Sequence, residues 1–347
     1  MECVSDCIAA PELSLSSITA EPIPIRWSPD LPVFAKEEFL KAVGDEYGWL
    51  GGLDQHGTLR CILPYTIVQK LGVRLVRFRV ETIACGGALD IAEEKSFLNA
   101  AVEHFRKMRA DVIIPASNNT LFRTFPNGAA AAPYGSYVID LQQPEDVLWR
   151  NISKGSRHNI NVAKKDGVTI REGMEFLDPA YDLIRETFRR SKLDFMDRDA
   201  FRRLALALGD NGKILRAERQ NVAHSYAFFA FSTPGAYWMY GGNIQCQHQG
   251  AMKLLLWEAI RQFRNYGIRT VDFYGARINP PKGSKQEGIN LMKKHLGASL
   301  SEGFMWKYPI RPWRALAYSL GVRLLRGGDI VDQEGKRLRG YSLRVEN

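Results

Sequence analysis

Between Met252 and Gly297 the apolar positions change their period along the chain. Leu256, Trp257, Ile260 and Phe263 recur at helical spacing, Gly267 stops that helix, and a short apolar strand follows from Thr270 to Tyr274. Asp272 is a charged residue set inside this strand. Arg277, Lys282 and Lys285 come next among prolines and glycines, a pattern that predicts a polar loop with a cationic lining to offer a ligand. Lys293 and Lys294 close the block.

The helix-then-strand pattern occurs twice. AVEHFRKMRADVIIP, from Ala101 to Pro115, lines up without gaps against AIRQFRNYGIRTVDF, from Ala259 to Phe273, and most apolar positions coincide. Strand-like segments precede both copies: CILPYTIVQ and VRLVRFRVETI before the first, ILRAERQ, AHSYAFFAFS and AYWMYGGNI before the second. This predicts an internal duplication in which each α/β unit is a short meander of strands, then a helix and a further strand. Helices are expected near 96 to 109 and 252 to 266.

A chain of 347 residues has room for about two domains. Its composition is ordinary for a globular protein, with no apolar run of the ~18 residues that a membrane helix needs. The first 20 or so residues lack the basic and apolar regions of a secretory signal and are expected to be loosely ordered. The cysteines Cys3, Cys7, Cys61, Cys85 and Cys246 are scattered, without CxxC or Cys/His ligand spacing. This favours a reducing cytoplasm and no metal site.

A formal charge of +9 makes an anionic partner plausible. Trp149 to Glu172 concentrates Arg150, Lys154, Arg157, Lys164 and Lys165, and a helix from Ser153 to Lys165 would set Lys154, Arg157, Asn161 and Lys164 on one face. That face is either a solvated surface or a contact for the phosphates of a nucleotide-linked substrate or RNA. MWKYPIRPWRALAYSLGVRLLRGG interleaves Trp306, Tyr308, Trp313 and Tyr318 with basic residues. Closing helices packed on a domain are the favoured reading, with peripheral contact to an anionic membrane as the alternative.

The order SKGSRHNINVAKKDGV, DLIRETFRRSKLDF, AYWMYGGN, LLLWEAIRQFRNYGIRTVDFYG and GINLMKKHLG resembles the Fem-type peptidyltransferases, over about residues 30 to 310 and most strongly from 149 onward. In that family MKKHLG usually appears as a Phe-Lys pair followed by a bulky residue and Gly. Here Met292 replaces the aromatic and Lys293 keeps the lysine. The resemblance implies two tandem GNAT-like domains, each a mixed, mostly antiparallel sheet flanked by helices. The expected division is a tail at 1–24, domains at 25–148 and 149–310, and a C-terminal helix and tail at 311–347.

The activity implied is transfer of an amino acid from aminoacyl-tRNA to the amine of a peptidoglycan precursor, or of a related natural-product acceptor, without a bound cofactor. Attack of an amine on an ester carbonyl builds negative charge on oxygen, which a fixed cation stabilises by a few kcal/mol. Lys293 is the candidate. Tyr240, Asn243, Asp272, Tyr274 and Arg277 are candidates for binding the acceptor, with Gly241 and Gly242 allowing close approach of a ligand. Lys154, Arg157, Lys164 and Lys294 are candidates for the tRNA phosphates. His158, His248 and His295 form no legible triad and read as surface or packed residues. A rival reading is a GNAT N-acyltransferase using acyl-CoA, although the turn QCQHQGAMKLL keeps only Gly250, Ala251 and a distant Gln247 of a pyrophosphate-binding pattern. A non-catalytic binding module with the same domains is a third.

Overall fold

The structure, a computed structural model, describes residues 18–70, 72–115, 120–246 and 248–345. Cys3, Cys7 and Gln247 lie outside the described residues, as does most of the segment expected as a tail. Its last residues are ordered: β1 (Thr19–Ile23) pairs antiparallel with β2.

The first α/β unit opens with α1 (Glu37–Val43), followed by the antiparallel meander β2 (Glu46–Leu53), β3 (Leu59–Lys70) and β4 (Val73–Phe78). A short β5 (Ile83–Ala84) pairs with β3. The crossover helix α2 (Ile91–Lys107) starts at a capping box formed by Asp90 and Glu93, and its chain returns as β6 (Val112–Ile113), parallel to β4. Then come β7 (Ala130–Asp140), α3 (Glu145–Asn151) and α4 (Lys154–Lys165), the last capped by Ser153.

The second unit repeats this plan. After β8 (Thr169–Glu172), α5 (Leu177–Arg190) and α6 (Arg198–Leu208), the strands β9 (Gly212–Arg219), β10 (Val222–Ser232) and β11 (Gly235–Asn243) form an antiparallel meander. The crossover helix α7 (Ala251–Asn265) leads through Gly267, at φ +74°, into β12 (Thr270–Ala276), which lies parallel to β11. The two crossover helices and their return strands are the segments that align in the sequence. The chain ends with α8 (Lys285–His295), β13 (Ser299–Pro309), α9 (Pro312–Arg326) and α10 (Ile330–Val345).

Among the described residues the thirteen strands belong to one mixed, mostly antiparallel sheet, with the order β1-β2-β3-β4-β6-β13-β7-β12-β11-β10-β9-β8 and β5 beside β3. The units are interlocked. Strand β7, which follows the first unit in sequence, pairs with β12 of the second, and β13 reaches back to β6. Residue 148 itself lies inside α3, and the sheet runs on across both units.

Two further expectations change. The segment after β12 is loop only as far as Ser284, whose hydroxyl accepts from the Glu287 amide and starts α8, so Lys285 is helical. The C-terminal region holds two helices where a helix and a tail were expected.

Apolar side chains cover both faces of the second unit. One layer joins α4 and α7 to the sheet through Trp257, Ile260, Phe263 and Phe229. The other joins Tyr181, Phe201 and Phe228 to Phe34, Trp49, Ile62 and Val80 of the first unit. This second layer packs the two units against each other and forms the wall of the site described next.

Candidate active site

Strands β11 and β12 pair only through Ala236–Val271 and Tyr237–Asp272, after which no further pairing joins them. Beyond that point the carbonyls of β12 need other partners. Helix α8 supplies them from its buried polar positions. Lys293 donates through Nζ to the carbonyls of Tyr274 and, at 2.9 Å, Gly275, while Asn290 Nδ2 donates to the carbonyl of Arg277 at 2.9 Å. These are the two buried residues of α8, one turn apart.

Tyr274 has φ +60°, a conformation that side chains other than glycine rarely adopt and that costs about 1–3 kcal/mol. The pairing of β12 with β7 also slips between Asp272 and Gly275. Opposite charges hold the kink in place. The Asp272 carboxylate accepts from the Tyr274 amide at 2.6 Å and from the Ser136 hydroxyl, while the Lys293 ammonium holds the Tyr274 carbonyl. Burial raises the pKa of Asp272 against these two hydrogen bonds and the attraction of Lys293. Burial lowers that of Lys293 to about 8, opposed by Asp272. Lys293 is 4% exposed. With two of its three N–H groups on carbonyls, one is left to turn toward a ligand.

Both units contribute to the surface next to this clamp. Tyr274 meets Phe34 and Tyr237 edge-on, each with ring centroids 6.5 Å away. Tyr240 packs among Phe188, Phe195, Phe201 and Phe228, and burial raises its hydroxyl to about 12. From the first unit comes Arg79, bonded to the Thr66 hydroxyl at 2.8 Å and the Val43 carbonyl at 2.6 Å. Desolvation brings its pKa down to about 9, and its charge is felt by Tyr240 and Tyr274. Glu81, in the extended segment after β4, is exposed to solvent. Its pKa rises to about 7, through desolvation first and then the nearby charges of Asp272 and Glu94. These electrostatic couplings bring Arg79, Glu81, Asp272 and Tyr274 together where the two units meet, the region taken as the cleft of the site.

The clamp brings Asp272, Tyr274 and Lys293 together, with Tyr240 on the adjoining wall. The other candidates lie elsewhere or are engaged. Arg277 pairs with Glu334 at 2.9 Å and donates to Gln333 at 3.1 Å, so it anchors α10. The Asn243 backbone bonds to Thr187 and Arg190 at the end of α5. Gly242 serves packing rather than a ligand, because a Cβ there would lie 2.7 Å from the Ile184 amide. Arg157 donates to the carbonyls of Trp149 and Arg150 and so ties α4 to α3. Lys164 pairs with Glu258 at 3.0 Å, while Lys154 and Lys294 are exposed. Sequence reasoning missed Arg79, Glu81 and Tyr237. The signal was there: Arg79 and Glu81 are charges in an extended apolar stretch, as Asp272 is in its strand.

The turn before α7 bears on the donor. The Gly250 amide donates to His248 Nδ1 at 3.2 Å, the Ala251 amide donates to the His248 carbonyl at 2.9 Å, and Asp166 holds His248 Nε2 at 3.0 Å. Helix α4 presses directly on this turn, since a Cβ on Gly250 would lie 2.1 Å from the Asn159 carbonyl oxygen.

Residues 150–280 match the family described as an acetyltransferase (GNAT) domain. This match covers under half of the chain and places a GNAT domain in the second unit of the mixed α/β fold. The chain's fold is similar to those of three solved structures at low sequence identity. A structure described as FemX is similar at 16% identity, covering 80% of this chain and 92% of that one, with a TM-score of 0.61. The C-terminal domain of a putative lysylphosphatidylglycerol synthetase from Agrobacterium fabrum is similar at 9% identity, covering 84% and 92%, with a TM-score of 0.52. A conserved protein of unknown function from Bacteroides thetaiotaomicron is similar at 12% identity, covering 84% and 99%, with a TM-score of 0.51. No curated protein matches the sequence.

Proposed function

We propose that this protein forms an amide bond by moving an aminoacyl group from aminoacyl-tRNA to the amine of a peptidoglycan precursor or a similar natural-product acceptor. The observation that carries this reading is the filled turn at Gly250. A pyrophosphate held at a helix N-terminus needs open space and free N–H groups, but here α4 occupies the space and His248 takes two of the amides. A donor anchored through its own polynucleotide does not need that turn. Exposed Lys154 and Lys294 would meet its phosphates, with Lys164 joining by exchanging Glu258 for a phosphate.

In this reading the acceptor amine enters the cleft beside Glu81, whose pKa near 7 suits it to take a proton as the amine attacks. The new C–N bond forms as the ester C–O bond breaks. The proton passes through Glu81 to the departing ribose oxygen. Lys293 turns its remaining N–H toward the oxyanion, while Tyr237, Tyr240 and Tyr274 line the acceptor.

The acetyltransferase family match on residues 150–280 favours the rival donor, acyl-CoA. Both are tested by incubating the purified protein with a pool of charged tRNAs and, separately, with acyl-CoAs, adding cell-wall precursors or small amines to each. The expected result is discharge of aminoacyl-tRNA with formation of an amide product by mass. Consumption of acyl-CoA alone overturns the proposal.

A further inference from the structure

The fold leaves an apolar ridge in water. Trp313, Leu316, Leu320 and Leu324 follow one another along one face of α9 and are 83, 52, 48 and 87% exposed. The ridge spans about 16 Å at 1.5 Å per residue. The opposite face of the helix holds it to the fold, with Ala315 and Tyr318 packing on Leu75, Val112 and Ile114 of β4 and the β6 region. Helix α9 is therefore already docked, and its larger side chains point away from the protein. Scattered exposed leucines are ordinary, but four large side chains in register with an indole mark an interaction surface.

Charge selects the occupant. From Gly303 to Gly328 the sequence contains five cations, Lys307, Arg311, Arg314, Arg323 and Arg326, of which Lys307 is neutralised by Asp329 and Asp332 just beyond, at 2.8 and 2.7 Å, leaving the arginines. Arg314 and Arg323 are exposed and flank the ridge on either side of the wheel. Asp111 lies 3.6 Å from Arg311 and 3.5 Å from Arg314, so one carboxylate faces two guanidinium groups and positive charge remains. An apolar stripe with an aromatic at its end and arginines at its margins fits the boundary of an anionic bilayer, with the apolar side chains among the acyl chains and the guanidinium groups at the phosphates. Among the described residues no helix is long and apolar enough to cross a membrane, so the contact is lateral.

The docked side is also the side of the cleft. Leu75 packs under α9, Arg77 bonds to the Tyr318 hydroxyl, and Arg79 lines the cleft, alternating along one face of the same extended segment. We infer that α9 is a peripheral membrane-docking helix that seats this protein on an anionic lipid surface, with the cleft on the docked side. This inference stands on the ridge and its charge and is independent of which donor the cleft uses.

The test is sedimentation of the full chain with vesicles of phosphatidylcholine alone or mixed with phosphatidylglycerol, at low and at raised salt. Wild type is expected to sediment with the phosphatidylglycerol vesicles and to be released by salt. Leu324→Glu should weaken this binding by a factor of about ten or more, because it sets a charge against the acyl region. Leu324 is almost wholly exposed, so circular dichroism should show an unchanged fold. Absence of wild-type binding at low salt overturns the inference, as does equal binding by Leu324→Glu. A wild-type dimer that Leu324→Glu dissolves, with no vesicle binding by either, would assign the ridge to a second copy of the chain and overturn it as well.

Discussion

Replacing Lys293 by Met removes the cation beneath the Tyr274 kink and keeps much of its volume. Burial lowers the lysine pKa from 10.5 to about 8, and at about 1.4 kcal/mol per pH unit keeping it charged in the fold costs about 3 kcal/mol. Two hydrogen bonds from a charged donor to the carbonyls of Tyr274 and Gly275 return about 1.5–3 kcal/mol each. The terms nearly offset, so Lys293→Met is expected to lose at most about 3 kcal/mol of stability by urea denaturation at neutral pH. Turnover should fall further in relative terms, by a factor of about 100 or more, as when an oxyanion donor is lost. The unfolded lysine holds its proton up to about 10.5 and the folded one only to about 8. Between those values the unfolded chain binds more protons, so this group makes wild-type stability rise with pH across the window, and the variant should lack that rise. Exposed Lys294→Met is the control, with turnover read at saturating donor so that its proposed phosphate contact does not limit the rate. Equal losses of turnover from the two substitutions would refute the role given to Lys293.

Three further outcomes follow from the same site. The pH profile of transfer should rise through about 7 as Glu81 loses its proton and fall above about 8 as Lys293 loses its own, and Glu81→Gln should abolish the lower limb in stopped-time assays. Gly250→Ala sets a Cβ against the Asn159 carbonyl and should lower stability by roughly 1–3 kcal/mol in urea denaturation. An unchanged midpoint would show that α4 yields easily at the turn. Binding of charged tRNA should weaken steeply with salt, and substituting Lys154 and Lys164 should flatten the slope of log K against log salt by about one for each phosphate left without its lysine.

The crossover helices and their return strands were legible because their period is local: α7 and β12 follow from the spacing of Leu256, Trp257, Ile260 and Phe263 and from the stop at Gly267. Helix α8 was missed although Ser284 and Glu287 spell a capping pattern, since its inward face is Asn290 and Lys293 and gives no apolar stripe. The same polar face made Lys293 recognisable as a candidate through family resemblance, while its partners were out of reach of sequence reasoning. That the ammonium holds two carbonyls of a strained segment depends on where β11 and β12 part. Arg277 shows the converse error, for its place after a strand end suggested a ligand, and its partner Glu334 lies 57 positions on in the chain. Ion pairs of that separation leave no local pattern.

The interlocking of the two units explains why neither alone contains the candidate site. Arg79 and Glu81 follow β4 of the first unit, whereas Asp272, Tyr274 and Lys293 come from β12 and α8 of the second. A duplicated α/β unit could join its copy by loose contact, which would let the cleft open and close freely. Here β13 is hydrogen-bonded to β6 at one end and along β7 for nine residue pairs, and β7 is in turn bonded to β12. Sliding one unit past the other would break these ladders, so the geometry between Glu81 and the Tyr274 kink is set by backbone bonds instead of by a hinge. Strain at Tyr274 is sustained in the same way: Ser136, whose hydroxyl fixes Asp272, sits on β7, the strand that follows the first unit and braces the second.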